Sequence, residues 1–243
     1  MTENNSTKSV RNRVTPDLLW SKYSIIQHVV FWVIALGIWW GLHYLARTRE
    51  AWTIPLWQYL SRIRFYFFTG DFNHAAVRGI LIGAAILFAI TGFDWLVAKL
   101  KGDPPVTQIL RNHYLLPRTP KQRFIAVVLG VNAGIFEELF FRGGVFFLLL
   151  LLTRSAIFSI VVTSAVFALL HTSVQGWYST VLIFLVGIVL NLLLLLTDSF
   201  YAPIFCHITI NLGNILVIPS FFEEHLPEIQ KASAPSESSS LES

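Results

Sequence analysis

Between Phe124 and Leu152 the chain is apolar except for Asn132 and three charged residues, Glu137, Glu138 and Arg142. At about 1.5 Å per residue, such a run outreaches a hydrocarbon slab of ~30 Å by a few turns. One straight span cannot hold it, and Gly143-Gly144 is the natural place for a bend. Further apolar runs occupy 25–46, 75–97, 156–171, 178–196 and 201–218. Hydrophobic residues make up 54% of the chain and charged residues 13%, about half the charged share usual in soluble domains. Lipid is therefore the expected solvent for much of the sequence.

This pattern predicts an all-α fold, a polytopic transmembrane helix bundle of about six spans plus an interfacial helix. The interfacial segment is 52–68, where WTIPLWQYLSRIRFYFF mixes aromatic rings with Arg62 and Arg64. Trp39, Trp40 and Tyr44 at one end of the first run suit the headgroup zone. Gly79, Gly83 and Gly92 in the second run would permit close helix contact. Four regions result: a polar N-terminal arm at 1–22, and N-terminal membrane helices with the interfacial helix and a basic connection at 23–119. A membrane core follows at 120–222, and an acidic, then Ser-rich tail at 223–243 is expected to be disordered and to end in an expression remnant.

The net charge of +4 comes from the polar connections. Lys8, Arg11, Arg13 and Lys22 precede the first run, and Lys99, Lys101, Arg111, Arg118, Lys121 and Arg123 crowd one interhelical stretch. Membrane anchoring by the positive-inside rule accounts for them, and no nucleic-acid partner is expected. Arg47, Arg49, Arg62 and Arg64 on the opposite connection weaken the orientation bias. The lone Cys206 excludes an intrachain disulfide or a cysteine-based zinc site, and no cleavable signal peptide is apparent.

Ionisable groups at mid-bilayer cost roughly 2.5–3.5 kcal/mol on insertion scales, so they are functional candidates by default. At about 100° per residue, Glu138 and Arg142 share one helical face and can pair. Glu137 points about 100° away and is left aimed at another part of the bundle. A purely structural ion pair would explain one glutamate but not two. Phe167 and His171 share a face near the end of their run, as do His207 and Asn211 in theirs. Each pair alone would pass as a helix-end hydrogen bond or as polar glue between membrane helices. Three such groups on separate spans can meet in one cavity by ordinary bundle packing. Asn132 and Asn191 read as glue; His28 and His43 as interface anchors; His74, His113 and His225 as residues of polar connections.

Glu137-Glu138-x-x-x-Arg142, Phe167-x-x-x-His171 and His207-x-x-x-Asn211, in that order on successive apolar segments, resemble the CAAX-protease and bacteriocin-processing (CPBP, or Abi) family of intramembrane endopeptidases. The resemblance covers roughly 120–218; the N-terminal half shows only generic membrane helices. It implies that Glu137 and His171 activate a water for attack on a peptide carbonyl, while His207 and Asn211 stabilise the oxyanion. Glu138, Arg142 and Phe167 would support the geometry. A carboxylate in a low-dielectric cavity is a competent base near neutral pH, and preset donors suit a developing oxyanion.

No cofactor is expected. The alternative is zinc on the two histidines and a glutamate, although the H-E-x-x-H pattern is absent. The expected partners are the lipid bilayer and a peptide or lipidated protein substrate. The expected location is an integral, multi-pass position, in the plasma membrane if the source is a bacterium or archaeon. Two competing readings are a non-catalytic immunity or scaffold protein of the same family and a proton-coupled transporter. The lack of repeated halves argues against the transporter.

Overall fold

The computed structural model describes residues 70–101, 117 and 119–218, together with scattered positions between 26 and 44. The expected N-terminal arm, the interfacial helix at 52–68 and the tail at 223–243 lie outside the described residues, as do Arg111 and Arg118. Among the described residues regular structure is helical, with no strand. The elements are α1 (Gly70–Lys101), α2 (Pro120–Phe140), α3 (Phe147–Thr153), α4 (Ala156–Thr197) and α5 (Tyr201–Leu212). Alpha1 begins before the expected position 75, so His74 belongs to a helix rather than to a connection.

Helix α2 starts where local chemistry dictates. Thr119 Oγ1 accepts from the Gln122 backbone N–H, Gln122 returns a bond to the Thr119 N–H, and Pro120 fills the first helical position. The long apolar run does not break at Gly143-Gly144. It widens into a single π-helical stretch, Phe141–Phe146, and continues as α3 to Thr153. A π-turn rotates the residues that follow it without leaving backbone groups unpaired, which suits a helix that keeps Arg142 buried inside an apolar bundle. Arg154 then turns the chain in a left-handed conformation and Ser155 caps α4.

Helix α4 is helical throughout but is not one rod. In a straight helix, positions eight apart are roughly 12 Å apart along the axis. Here the Thr172 and Thr180 hydroxyls are 2.8 Å apart, and Asn191 Nδ2 reaches Ser164 Oγ at 3.1 Å. The segment doubles back into two antiparallel arms, Ala156–Thr172 and Ser179–Thr197. This is the pair of runs expected at 156–171 and 178–196.

Helix α5 lies at the centre. Along α1, Gly79 sits against the Ala202 carbonyl, and a Cβ on Gly83 would lie 2.7 Å from the Cys206 carbonyl oxygen. These two glycines let the helix backbones touch, whereas Gly92, expected to do the same, has nothing within 4 Å. On the other side Gly134 of α2 packs against Ile208. An apolar core of Phe146, Phe147, Leu194, Phe200 and Ile204 fills the space beside α4. From the first run, Trp32 donates to Asn132 Oδ1 at 2.6 Å and its ring lies 6.0 Å from that of Phe136.

The distribution of polarity is inverted relative to a soluble protein. Glu138, Arg142, Ser159, Thr163, Ser164 and Asn191 are fully buried, while Phe88, Leu100, Ile157, Trp177 and Leu196 are exposed. Exposed apolar surface around a polar interior is the arrangement for a hydrocarbon solvent. Phe72–Leu100 and Ser179–Thr197 are each long and apolar enough to cross a membrane; Ala156–Thr172 and Tyr201–Val217 are shorter apolar helices.

Candidate active site

Glu137 and Glu138 are adjacent on α2, one residue turn before the π-stretch that carries Arg142. Their helical offset sends them to different partners. Glu138 Oε1 accepts from Arg142 NH1 at 2.9 Å and from His207 Nδ1–H at 2.7 Å. One Glu138 oxygen thus meets both groups, using both of its lone pairs. The second guanidinium nitrogen, Arg142 NH2, donates to the Gly187 carbonyl at 3.1 Å. Phe167 lies against the same group, with Arg142 Cζ 4.8 Å from its ring centroid.

Glu137 faces the histidines instead. Its Oε2 is 3.8 Å from His171 Nε2 and 3.7 Å from His207 Nε2. It makes no hydrogen bond among the described residues, although the atom is buried. Both separations are too long for a direct hydrogen bond and short enough for one bridging group. The His171 Nδ1 atom lies 2.8 Å from the Phe167 carbonyl, an acceptor, so Nδ1 carries the proton. In the neutral ring Nε2 then presents its lone pair toward Glu137. The Phe167 ring sits 4.7 Å from the His171 ring and 5.8 Å from that of His207, and so fixes the spacing of the two imidazoles.

His207 Nδ1 lies 2.7 Å from Glu138 Oε1 and its Nε2 3.7 Å from Glu137 Oε2, so a charged imidazolium would direct one N–H toward each glutamate. Exposure grades across the cluster: Glu138 and Arg142 are 0% accessible, His171 26% and Glu137 23%. The supporting pair is thus sealed, while Glu137 and His171 are partly exposed. His171 precedes the last residue of the first arm of α4, where the chain doubles back.

Of the sequence-derived candidates, the structure brings Glu137, Glu138, Arg142, Phe167, His171 and His207 into one cluster. Asn211 is one turn beyond His207 on α5, and its amide donates to the Gly130 carbonyl at 3.2 Å. That bond uses one of its two amide hydrogens. Sequence reasoning missed the Gly187 carbonyl, because a backbone acceptor leaves no side-chain signature. Gly187 and Asn191 do stand at i, i+4, which marks one helical face carrying a small residue and an amide.

Residues 119–213, which hold every member of this cluster, match the Rce1-like family, described as type II CAAX prenyl endopeptidase Rce1-like. That segment is similar to the Rce1-like family over 95 of the chain's 243 residues. Its boundaries fall on structural ones: Thr119 is the cap of α2, and Gly213 follows the last residue of α5. No curated protein and no solved structure matches the chain. The family is one of CAAX-type prenyl endopeptidases, and the apolar helices described above fit a membrane protein.

Proposed function

We propose that the Rce1-like domain hydrolyses a peptide bond near the C-terminus of a membrane-associated or lipidated substrate, with Glu137 as general base. The observation that carries this reading is the position of Glu137 Oε2, buried without a partner among the described residues and facing two imidazole Nε2 atoms at 3.7 and 3.8 Å. A water held between Glu137 and the His171 Nε2 lone pair gives a proton to the carboxylate. The hydroxide attacks the scissile carbonyl carbon. The oxyanion accepts from His207 Nε2–H and from the second amide hydrogen of Asn211. The proton on Glu137 passes to the leaving amine, so water is divided between the two products. Glu138, bonded to Arg142, keeps His207 charged and oriented.

The reading needs no metal. Zinc would have to take Glu137 Oε2 with the same two Nε2 atoms, which this reading gives to the water and the oxyanion. We also assign the region 120–222 as the catalytic core, with about six spans in the whole chain, 23–119 as membrane helices that shape access, and a multi-pass membrane location. The immunity or scaffold and transporter readings predict no cleavage. Reconstituted protein is incubated with lipidated and plain C-terminal peptides, products are read by mass spectrometry, and proton flux is followed in parallel. Cleavage without flux supports the peptidase; flux without cleavage contradicts it.

Asn211→Ala is expected to lower kcat about 100-fold with little change in KM, because an oxyanion donor acts mainly in the transition state. Steady-state kinetics on the same peptide check this. A rise in KM at constant kcat would place Asn211 in substrate binding instead.

A further inference from the structure

Asn191 sits on the second arm of α4, away from the histidines, yet it is joined to them by an unbroken set of contacts. Its Nδ2 donates to Ser164 Oγ on the facing arm at 3.1 Å and to the Gly187 carbonyl at 2.9 Å. That carbonyl is also the acceptor for Arg142 NH2. The arms must approach closely for both bonds to form. A Cβ at position 187 would lie 3.0 Å from Ser164 Cβ and 3.1 Å from its Cα, so glycine is what permits the approach. Ser164, Asn191, Arg142 and Glu138 are all 0% exposed.

We infer that Asn191, with Ser164, is a positioning residue for the reaction, acting through Gly187, Arg142 and Glu138 on the His207 ring. The inference rests on the peptidase reading of the site and deepens it. A guanidinium is a rigid planar fork, and two anchored nitrogens define its plane. NH1 is anchored by Glu138 and NH2 by the Gly187 carbonyl, with the Phe167 ring against the face. Asn191 holds that carbonyl in register with the facing arm. The plane of Arg142 fixes which Glu138 oxygen is presented, and that oxygen receives His207 Nδ1–H. The cost of the arrangement is visible on the same side chain. Asn191 Oδ1 is buried with no hydrogen-bond partner among the described residues. An apolar residue would avoid that orphan acceptor, so the donor half of the amide is what the position retains.

The test uses full-length protein in liposomes, with Asn191→Ala, Ser164→Ala and the double variant. Each single change is expected to lower kcat about tenfold, with KM within about twofold, because each breaks the buried Asn191–Ser164 bond. The double variant should lose little more than Asn191→Ala, because the bond of Ser164 to Asn191 is already gone in that single change. A second readout needs no turnover. In protein with ring-labelled histidine, the His207 nitrogen resonances, assigned through His207→Gln, should shift in Asn191→Ala while those of His171 stay in place. An unmoved His207 signal, or wild-type kcat in Asn191→Ala, overturns the inference. The peptidase reading fails if the unchanged protein cleaves no peptide, and the general-base role fails if Glu137→Gln cleaves normally, whereas the His207 resonance still reports on Asn191 in either case.

Discussion

Glu137→Gln is expected to abolish peptide cleavage while leaving the protein folded and able to bind substrate. The amide keeps the size and planarity of the carboxylate, but it cannot accept the proton of the attacking water. General-base catalysis is worth about 10²–10⁴-fold, and the neighbouring His171 is placed to hold the water rather than to replace the base. The carboxylate oxygen concerned makes no hydrogen bond among the described residues, and its nearest ionisable neighbours are nitrogens at 3.7 and 3.8 Å. Its replacement therefore breaks no bond on which the fold depends. Single-turnover cleavage, thermal melting in detergent and binding of a fluorescent peptide check the three parts. A large drop in melting temperature would make Glu137 structural instead.

Arg142→Ala is expected to do the reverse, with its main effect on the fold. Arg142 is fully buried, bonds to Glu138 and to the Gly187 carbonyl, and lies against Phe167. Removing it leaves the Glu138 carboxylate uncompensated inside the bundle, and breaking a buried pair in this way costs about 3–5 kcal/mol. It also empties the space between α4 and the π-stretch. Low folded yield and a lowered melting temperature should result, read by size-exclusion chromatography and thermal unfolding. Arg142→Lys should rescue only in part, since one ammonium cannot span both acceptors in the geometry of the fork. Wild-type stability in Arg142→Ala would show that Glu138 is held by other means.

The two glutamates also show what the sequence could and could not convey. Helical spacing alone assigned Arg142 to Glu138 and left Glu137 free, because an i, i+4 pair is a local relation. The destination of Glu137 was less legible. That it meets His171 and His207 depends on how three helices pack, and only the shared chemistry of the motifs hinted at it. The bend expected at Gly143-Gly144 falls in a π-turn, since glycine permits several local geometries and packing selects among them. Gly92 has no neighbour within 4 Å among the described residues, for the same reason. The tie from Ser164 through Asn191 and a backbone carbonyl to Arg142 was not legible at all. Its central acceptor is the main chain, and Asn191 alone looks like any polar residue that glues two membrane helices.

The claim that the protein's own carboxylate activates the water is tested most directly by peptide cleavage after exhaustive chelation. Reconstituted protein is treated with a strong chelator, its zinc content is measured, and cleavage of a lipidated C-terminal peptide is timed. Undiminished turnover at far less than one zinc per chain is the expected result. Loss of turnover on chelation, with recovery when stoichiometric zinc is restored, would contradict it and make Glu137 a metal ligand.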